Sequence, residues 1–209
     1  MDLSSKSETV RFKRMFQAAA RHVCPGWTVP QHQAEAVYAI FRWCVQAPAP
    51  LDPDRGLWIY GPNGSGKTTM LRIVWEFSRR IGRRDAWGRP YGFRLANAAD
   101  VCAEFADGGF DAIRPFCELR RQAFDEVGSE EIPTAHFGTQ LNVIQHILQM
   151  RYDRRHDGDF THVTSNYGPE QIPGRYGVRI YDRCRDMFNF VYLGGASRRQ
   201  AAIDLGRPS

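Results

Sequence analysis

The stretch GPNGSGKTT, Gly61 to Thr69, restricts the fold more than any other part of this 209-residue chain. A glycine, four free positions, then Gly66, Lys67 and Thr68 come after the apolar run Leu57-Trp58-Ile59-Tyr60 and before a helical pattern. Strand, glycine-rich loop and helix in that order make a P-loop, whose backbone N–H groups cradle phosphate at a helix N-terminus. Gly61, Pro62, Asn63, Gly64, Ser65, Gly66, Lys67, Thr68 and Thr69 are therefore the expected nucleotide-binding residues. Lys67 supplies a point charge for the β- and γ-phosphate oxygens, and the Thr68 hydroxyl is expected to ligate Mg²⁺.

From Gly56 onward short apolar segments alternate with longer helical ones. The pattern predicts strands near 91–96, ending at Asp125, ending at Asn166 and near 190–193, with helices over 67–81, 99–105 and 139–152. Such alternation argues an α/β fold, a three-layer P-loop NTPase core with a parallel sheet. Two amphipathic patterns, 9–24 and 31–46, precede it, and the proline-rich APAPLDPDRG at 47–56 breaks helix. The expected division is a short helical N-terminal segment, 1–50, and an ATP-binding domain, 51–209.

An apolar content of 43% is enough for an ordinary core. No run approaches 18 apolar residues, and the start lacks the apolar stretch of a signal peptide, so the expectation is a cytoplasmic protein without a membrane partner. Five scattered cysteines without a C-x-x-C pair read as reduced thiols, and the six histidines show no metal-ligand spacing. The net charge is +5 and 25 of the 28 basic residues are arginine, the side chain that pairs bidentately with phosphate.

Three further stretches carry candidate chemistry. In AFDEVG, Asp125 is expected to hold Mg²⁺ and Glu126 to act as general base toward water, provided the pair ends a strand and does not lie on a helix surface. Glu118, Glu130 and Glu131 read as solvated charges. In FTHVTSNYGPEQIP, Thr164-Ser165-Asn166 would leave a strand where the Asn166 amide can orient a water or meet the γ-phosphate, although T-S-N is also a common turn sequence. In GVRIYDRCRDMFNFVYLGGASRR, Arg179 and Arg183 share a helical face, either as a solvated basic helix or as arginines offered to a neighbouring subunit's γ-phosphate.

Together, GPNGSGKTT, FDEVG, VTSN with its Pro-Glu turn and the ending YGVRIYDRCRDMFN...GGASRR resemble the AAA+ ATPases of the DnaC-type helicase loader and IstB-type transposition helper group. The resemblance covers about Leu51 to Arg199. It implies an AAA+ core using ATP and Mg²⁺, with Asn166 as the sensor 1 residue and Arg183 as the arginine finger, Arg179 being the runner-up. Arg199, or Arg198, would be the sensor 2 arginine. It further implies subunits that assemble as a homo-oligomer when ATP-bound, grip single-stranded DNA and act on a replicative helicase, or on a transposase and duplex DNA.

A small nucleotide kinase and an ATP-dependent adaptor without turnover are the competing readings. Glu126 directly after Asp125, with Asn166, favours hydrolysis over the kinase, the intact Lys67, Asp125 and Glu126 set disfavours the adaptor, and the lack of an N-K-x-D segment disfavours a GTPase. For DNA contacts two arginine clusters stand out, Arg79, Arg80, Arg83 and Arg84, and Arg151, Arg154 and Arg155; each could equally complement a helix dipole.

Overall fold

The computed structural model describes residues 6–47, 50–84, 88, 90–156 and 159–195. Helix α1 (Lys6–Val23) leads through a single 3₁₀ turn at Gln31–Gln33 into α2 (Ala34–Cys44). Strand β1 (Gly56–Tyr60) feeds the phosphate loop and α3 (Lys67–Arg80); β2 (Arg94–Asn97) and α4 (Ala98–Glu118) follow. Then come β3 (Arg121–Val127), a hairpin of β4 (Thr134–His136) and β5 (Thr139–Leu141), and α5 (Val143–Arg154). Strand β6 (Phe160–Ser165), short α6 (Ile172–Tyr176), α7 (Val178–Met187) and β7 (Phe188–Tyr192) complete the described fold.

Five parallel strands lie in the order β2-β3-β6-β1-β7. Strand β1 sits beside β6 near the middle, and side chains alternate across it. Leu57 and Ile59 join the apolar cluster under α1, α2 and α3, while Trp58 packs into a second cluster under α4 to α7. Helices cover both faces, which is why Gly56–Tyr60 reads as one unbroken apolar run. Phe16 of α1 meets Phe41 of α2 and Phe77 of α3 edge-on, with ring centroids 5.6 and 5.1 Å apart, so the two leading helices are pinned to the helix that follows the phosphate loop.

Several boundaries differ from the sequence expectation, each for a local reason. The helix expected over 99–105 runs on to Glu118, because the break at Gly109 (φ +62) is a kink inside α4 rather than its end. Only glycine suits that kink: a Cβ there would come 2.8 Å from the His136 ring of the hairpin. The segment expected as a helix from 139 is first the strand β5, and α5 starts after Asn142, whose side-chain oxygen accepts from Gln145 N at 3.2 Å. The strand expected from Tyr91 begins at Arg94.

Two of the arginines considered for DNA are interior. Arg83 is buried and stacks on the Trp43 and Tyr91 rings, each centroid 4.2 Å from its guanidinium. Arg151 is buried against backbone carbonyls. Glu130, expected as a solvated charge, is buried too: it accepts from Gly128 N at 2.7 Å and from the Tyr176 hydroxyl, with the Arg175 guanidinium 3.5 Å away. A carboxylate that far from water survives by having charged and hydrogen-bonding partners. The five cysteines are free, four of them buried, and burial pushes the thiols of Cys44 and Cys184 up to about 12. Among the described residues no helix is long and apolar enough to cross a membrane.

Strand β6 is fully buried although four of its six residues are polar. His162 shows how this is met: its Nδ1 accepts from Leu57 N at 3.1 Å, and Nε2 lies 2.7 Å from the Tyr91 hydroxyl. Burial, reinforced by the positive charges of Arg83 and Arg151, pushes the ring down to about 3 from 6.5. The folded chain thus keeps His162 neutral where the unfolded chain takes up a proton. This contribution is complete above about pH 6.5 and is lost as pH falls toward 3, at up to about 1.4 kcal/mol per unit. Urea unfolding of wild type and His162→Gln across that window is expected to show the steeper acid loss in wild type. Parallel curves would refute the assignment.

Candidate nucleotide site

The phosphate loop occupies the C-terminal edge of the sheet, between the end of β1 and the start of α3. Gly61 lies against the chain leaving β7, where a Cβ would sit 2.1 Å from Leu193 O, so no other residue fits. Gly64 and Gly66 have φ of +77° and +97°, which turn the backbone into the first turn of α3. Ser65 is buried, and its Oγ has no hydrogen-bond partner among the described residues.

Lys67 reaches back across the loop. Its Nζ donates to Gly61 O at 2.9 Å, to Pro62 O at 3.0 Å and to Asn166 Oδ1 at 2.9 Å. These acceptors are neutral, so an ammonium at the loop mouth can exchange them for phosphate oxygens at a gain. Thr68 Oγ1 donates to Asp125 Oδ1 at 2.8 Å. A hydroxyl and a carboxylate oxygen side by side form a hard oxygen pair that suits Mg²⁺.

Asp125 and Glu126 lie on β3, which excludes the helix-surface reading of that pair. Neighbouring residues on a regular strand point to opposite faces, but here the β3–β6 register shifts between Phe124 and Val127. Two residues oppose Thr164 in this bulge, and Glu126 takes a left-handed φ of +59. The buried Thr164 hydroxyl fixes the distortion, donating to Asp125 Oδ1 and accepting from Glu126 N at 3.0 Å. Both carboxylates are thereby presented at the sheet edge that carries the loop.

The exposed Glu126 carboxylate meets a side chain of the next strand. Asn97, at the end of the neighbouring strand β2, donates from Nδ2 to Glu126 Oε2 at 3.2 Å. The other amide atom is committed, since Asn97 Oδ1 accepts from Ala99 N at 2.9 Å and caps α4. The cap orients the amide so that its donor side faces the carboxylate.

Lys67 and Asn166 are thus paired, and Thr68, Asp125 and Glu126 are linked at the same edge of the sheet by Thr164, which the sequence reading named only within the T-S-N stretch; Asn97, which holds Glu126 from the neighbouring strand, it did not name. Gln33 was missed as well: buried ahead of α2, it donates to Ser65 O at 3.1 Å and Gly194 O at 2.6 Å, tying the N-terminal helices to the phosphate loop. An S/T/N/Q at a strand end or cap position is the only sequence signal any of the three carries, and it is weak.

Arg183 and Arg179 both lie on α7. Arg183 is largely covered, with its guanidinium 3.2 Å from Asp153 and over the Tyr152 ring at 4.8 Å. Arg179 is exposed. Arg198 and Arg199 lie outside the described residues.

No family model matches the chain, and no curated protein matches it either. Solved structures do. A Streptococcus pyogenes serotype M3 protein described as a candidate primosome component aligns with a TM-score of 0.60 at 22% identity, over 87% of this chain and 91% of that one. The DnaC helicase loader aligns at 0.57 and 18% identity, over 86% and 98%. The replication initiator DnaA bound to AMPPCP and single-stranded DNA aligns at 0.52 and 15% identity, over 80% of this chain and 48% of DnaA. Sheet order, phosphate loop and these likenesses agree: the chain has the three-layer α/β fold of P-loop NTPases, in the form that the helicase-loader and initiator structures share.

Proposed function

We propose that this chain is a DnaC-like AAA+ ATPase that binds ATP with Mg²⁺, hydrolyses it where subunits meet, and acts in DNA replication as a helicase loader assembling on single-stranded DNA. The observation that carries the reading is the bulged end of β3, which brings Asp125 to Thr68 and sets Glu126 beside it, while Lys67 and Asn166 meet across the loop. The fold likeness to the DnaC helicase loader and to DnaA bound to AMPPCP and single-stranded DNA supports the same class.

In this reading the N–H groups of Gly64, Ser65 and Gly66 wrap the phosphates and Lys67 leaves its neutral partners for the β- and γ-oxygens. Thr68 and Asp125 would hold Mg²⁺, which supplies positive charge to the phosphate oxygens when bound. Glu126 takes a proton from the water whose oxygen attacks the γ-phosphorus, and the β–γ bridging bond breaks with its electrons leaving on ADP. To do so Glu126 must exchange the Asn97 amide for that water. Asn166, whose amide oxygen now accepts from Lys67, orients that water or meets the γ-phosphate.

Arg183 is assigned to the γ-phosphate of a neighbouring subunit, a role that requires it to leave Asp153 and Tyr152. ATP turnover per subunit is expected to rise with protein concentration and with single-stranded DNA, and to collapse in Arg183→Ala. If Arg179→Ala collapses it and Arg183→Ala does not, the exposed arginine is the trans residue. Turnover independent of concentration, DNA and both arginines would refute assembly-dependent hydrolysis. Preference for duplex over single strands would move the partner from a helicase to a transposase.

A further inference from the structure

The positive charge of the chain is concentrated on one face. Leaving aside Lys6 and Lys67, helices α1, α2 and α3 carry eight arginines and lysines against three acidic residues, an excess of five that equals the net charge of the whole chain. The rest of the molecule is close to neutral. On α3 the residues Arg72, Trp75 and Arg79, at helical spacings of three and four, form an exposed stripe, and Trp75 is 40% exposed.

Beside that stripe is a cleft of about 370 Å³. It is lined by His22 and Val23 at the end of α1, by Arg72, Trp75 and Glu76 of α3, by Phe93 just before the edge strand β2 and by Leu95 on it. The volume lies in the range of small-ligand sites and admits a nucleobase with its sugar. The Arg79 guanidinium lies 5.8 Å from the Trp75 ring centroid. Glu76, buried and itself part of the cleft lining, accepts from Arg79 at 3.1 Å and from Arg80 at 2.6 Å, so its charge is offset and the three side chains together keep one net positive charge next to Trp75. A second exposed aromatic, Tyr38, lies under Lys13 and Arg42 at 5.2 and 5.9 Å.

Basic residues interleaved with exposed rings are what a single strand of nucleic acid requires: cations for the backbone and flat apolar surfaces for the bases. An acidic protein would use the cations but not the indole over an apolar cleft. A duplex would keep its bases stacked and out of reach of it.

We propose that this face binds single-stranded nucleic acid without sequence preference, with one unstacked base lying on Trp75 in the cleft and the flanking phosphates on Arg72 and Arg79. The proposal deepens the loader reading by placing its strand, and it links the two sites through one helix, since α3 begins at the phosphate loop and presents the stripe along its outer side. It stands apart from hydrolysis, because strand binding is measured without nucleotide.

The test is fluorescence anisotropy of a labelled oligothymidylate with the full chain at a series of NaCl concentrations. Trp75→Ala is expected to weaken binding by roughly 10-fold and Trp75→Phe to restore most of it. The double variant Arg72→Gln/Arg79→Gln is expected to reduce the magnitude of the log–log salt slope by roughly 1.4. Arg80 continues to pair Glu76 in that variant, and an unchanged thermal melt confirms that it folds. A duplex of equal length should bind more weakly and ignore Trp75. Strand affinity indifferent to Trp75 with an unchanged salt slope overturns the proposal. So does polyglutamate binding of equal strength that is independent of Trp75, the result expected of a surface for acidic proteins.

Discussion

Glu126→Gln is expected to lower ATP turnover by at least about 100-fold while leaving ATP binding intact, as measured by steady-state phosphate release and by titration with a fluorescent ATP analogue. The substitution keeps the size and shape of the side chain, and a glutamine oxygen can still accept from Asn97 Nδ2, now 3.2 Å from Glu126. The left-handed backbone at this position is held by the Thr164 hydroxyl and by Ser129, whose N–H donates to Glu126 O at 3.0 Å, and neither contact involves the carboxylate. What disappears is the ability to take a proton. Loss of turnover together with loss of binding would instead mean that Glu126 helps to hold the phosphates, and unchanged turnover would make the chain an ATP-dependent adaptor. Lys67→Ala provides the contrasting case, since removing the ammonium that meets Gly61 O, Pro62 O and Asn166 should abolish binding itself.

The contrast between Glu126 and Asn97 also marks how far the sequence could be read. The phosphate loop is contiguous, and its glycines are required by the backbone itself, so motif and structure coincide there. Asp125 and Glu126 could be found because they lie near the end of a strand, but nothing local announces the bulge that leaves Asp125 on Thr68 and Glu126 against Asn97. That bulge depends on Thr164, 38 residues further on. Asn97 and Gln33 act through contacts set by sheet order and helix packing, and a single polar residue carries no such address. The same reason accounts for Glu130. Its neighbours in sequence are polar and suggest a solvated loop, whereas Arg175 and Tyr176, which bury it, arrive only when α6 folds over the end of β3. Alternation of apolar and helical segments was sufficient for the parallel sheet. It failed at 99–118, where Asp107-Gly108-Gly109 reads as a helix end, and at 134–141, where a short polar hairpin lacks the apolar alternation of a core strand.

The arginines divide along the same line, and Arg151 carries the largest expected effect on stability. Its guanidinium donates to Phe116 O at 2.9 Å, Leu119 O at 2.7 Å, Phe160 O at 3.1 Å and Thr161 Oγ1 at 2.8 Å. One side chain from α5 thus closes the end of α4, the turn into β3 and the start of β6. Burial lowers its affinity for the proton only to about 10, so it remains charged at neutral pH. Arg151→Met keeps much of the volume but leaves two buried carbonyls, a partly buried one and a hydroxyl without this donor, at about 1–3 kcal/mol for each buried group before relief from no longer burying a cation. A net loss of about 4 kcal/mol is expected in urea unfolding, which for a single substitution is diagnostic of a broken buried network. The salt slope of strand binding should stay as in wild type, because this guanidinium faces carbonyls rather than solvent. A stable Arg151→Met protein with a reduced slope would return Arg151 to the surface role that its place in an arginine cluster first suggested.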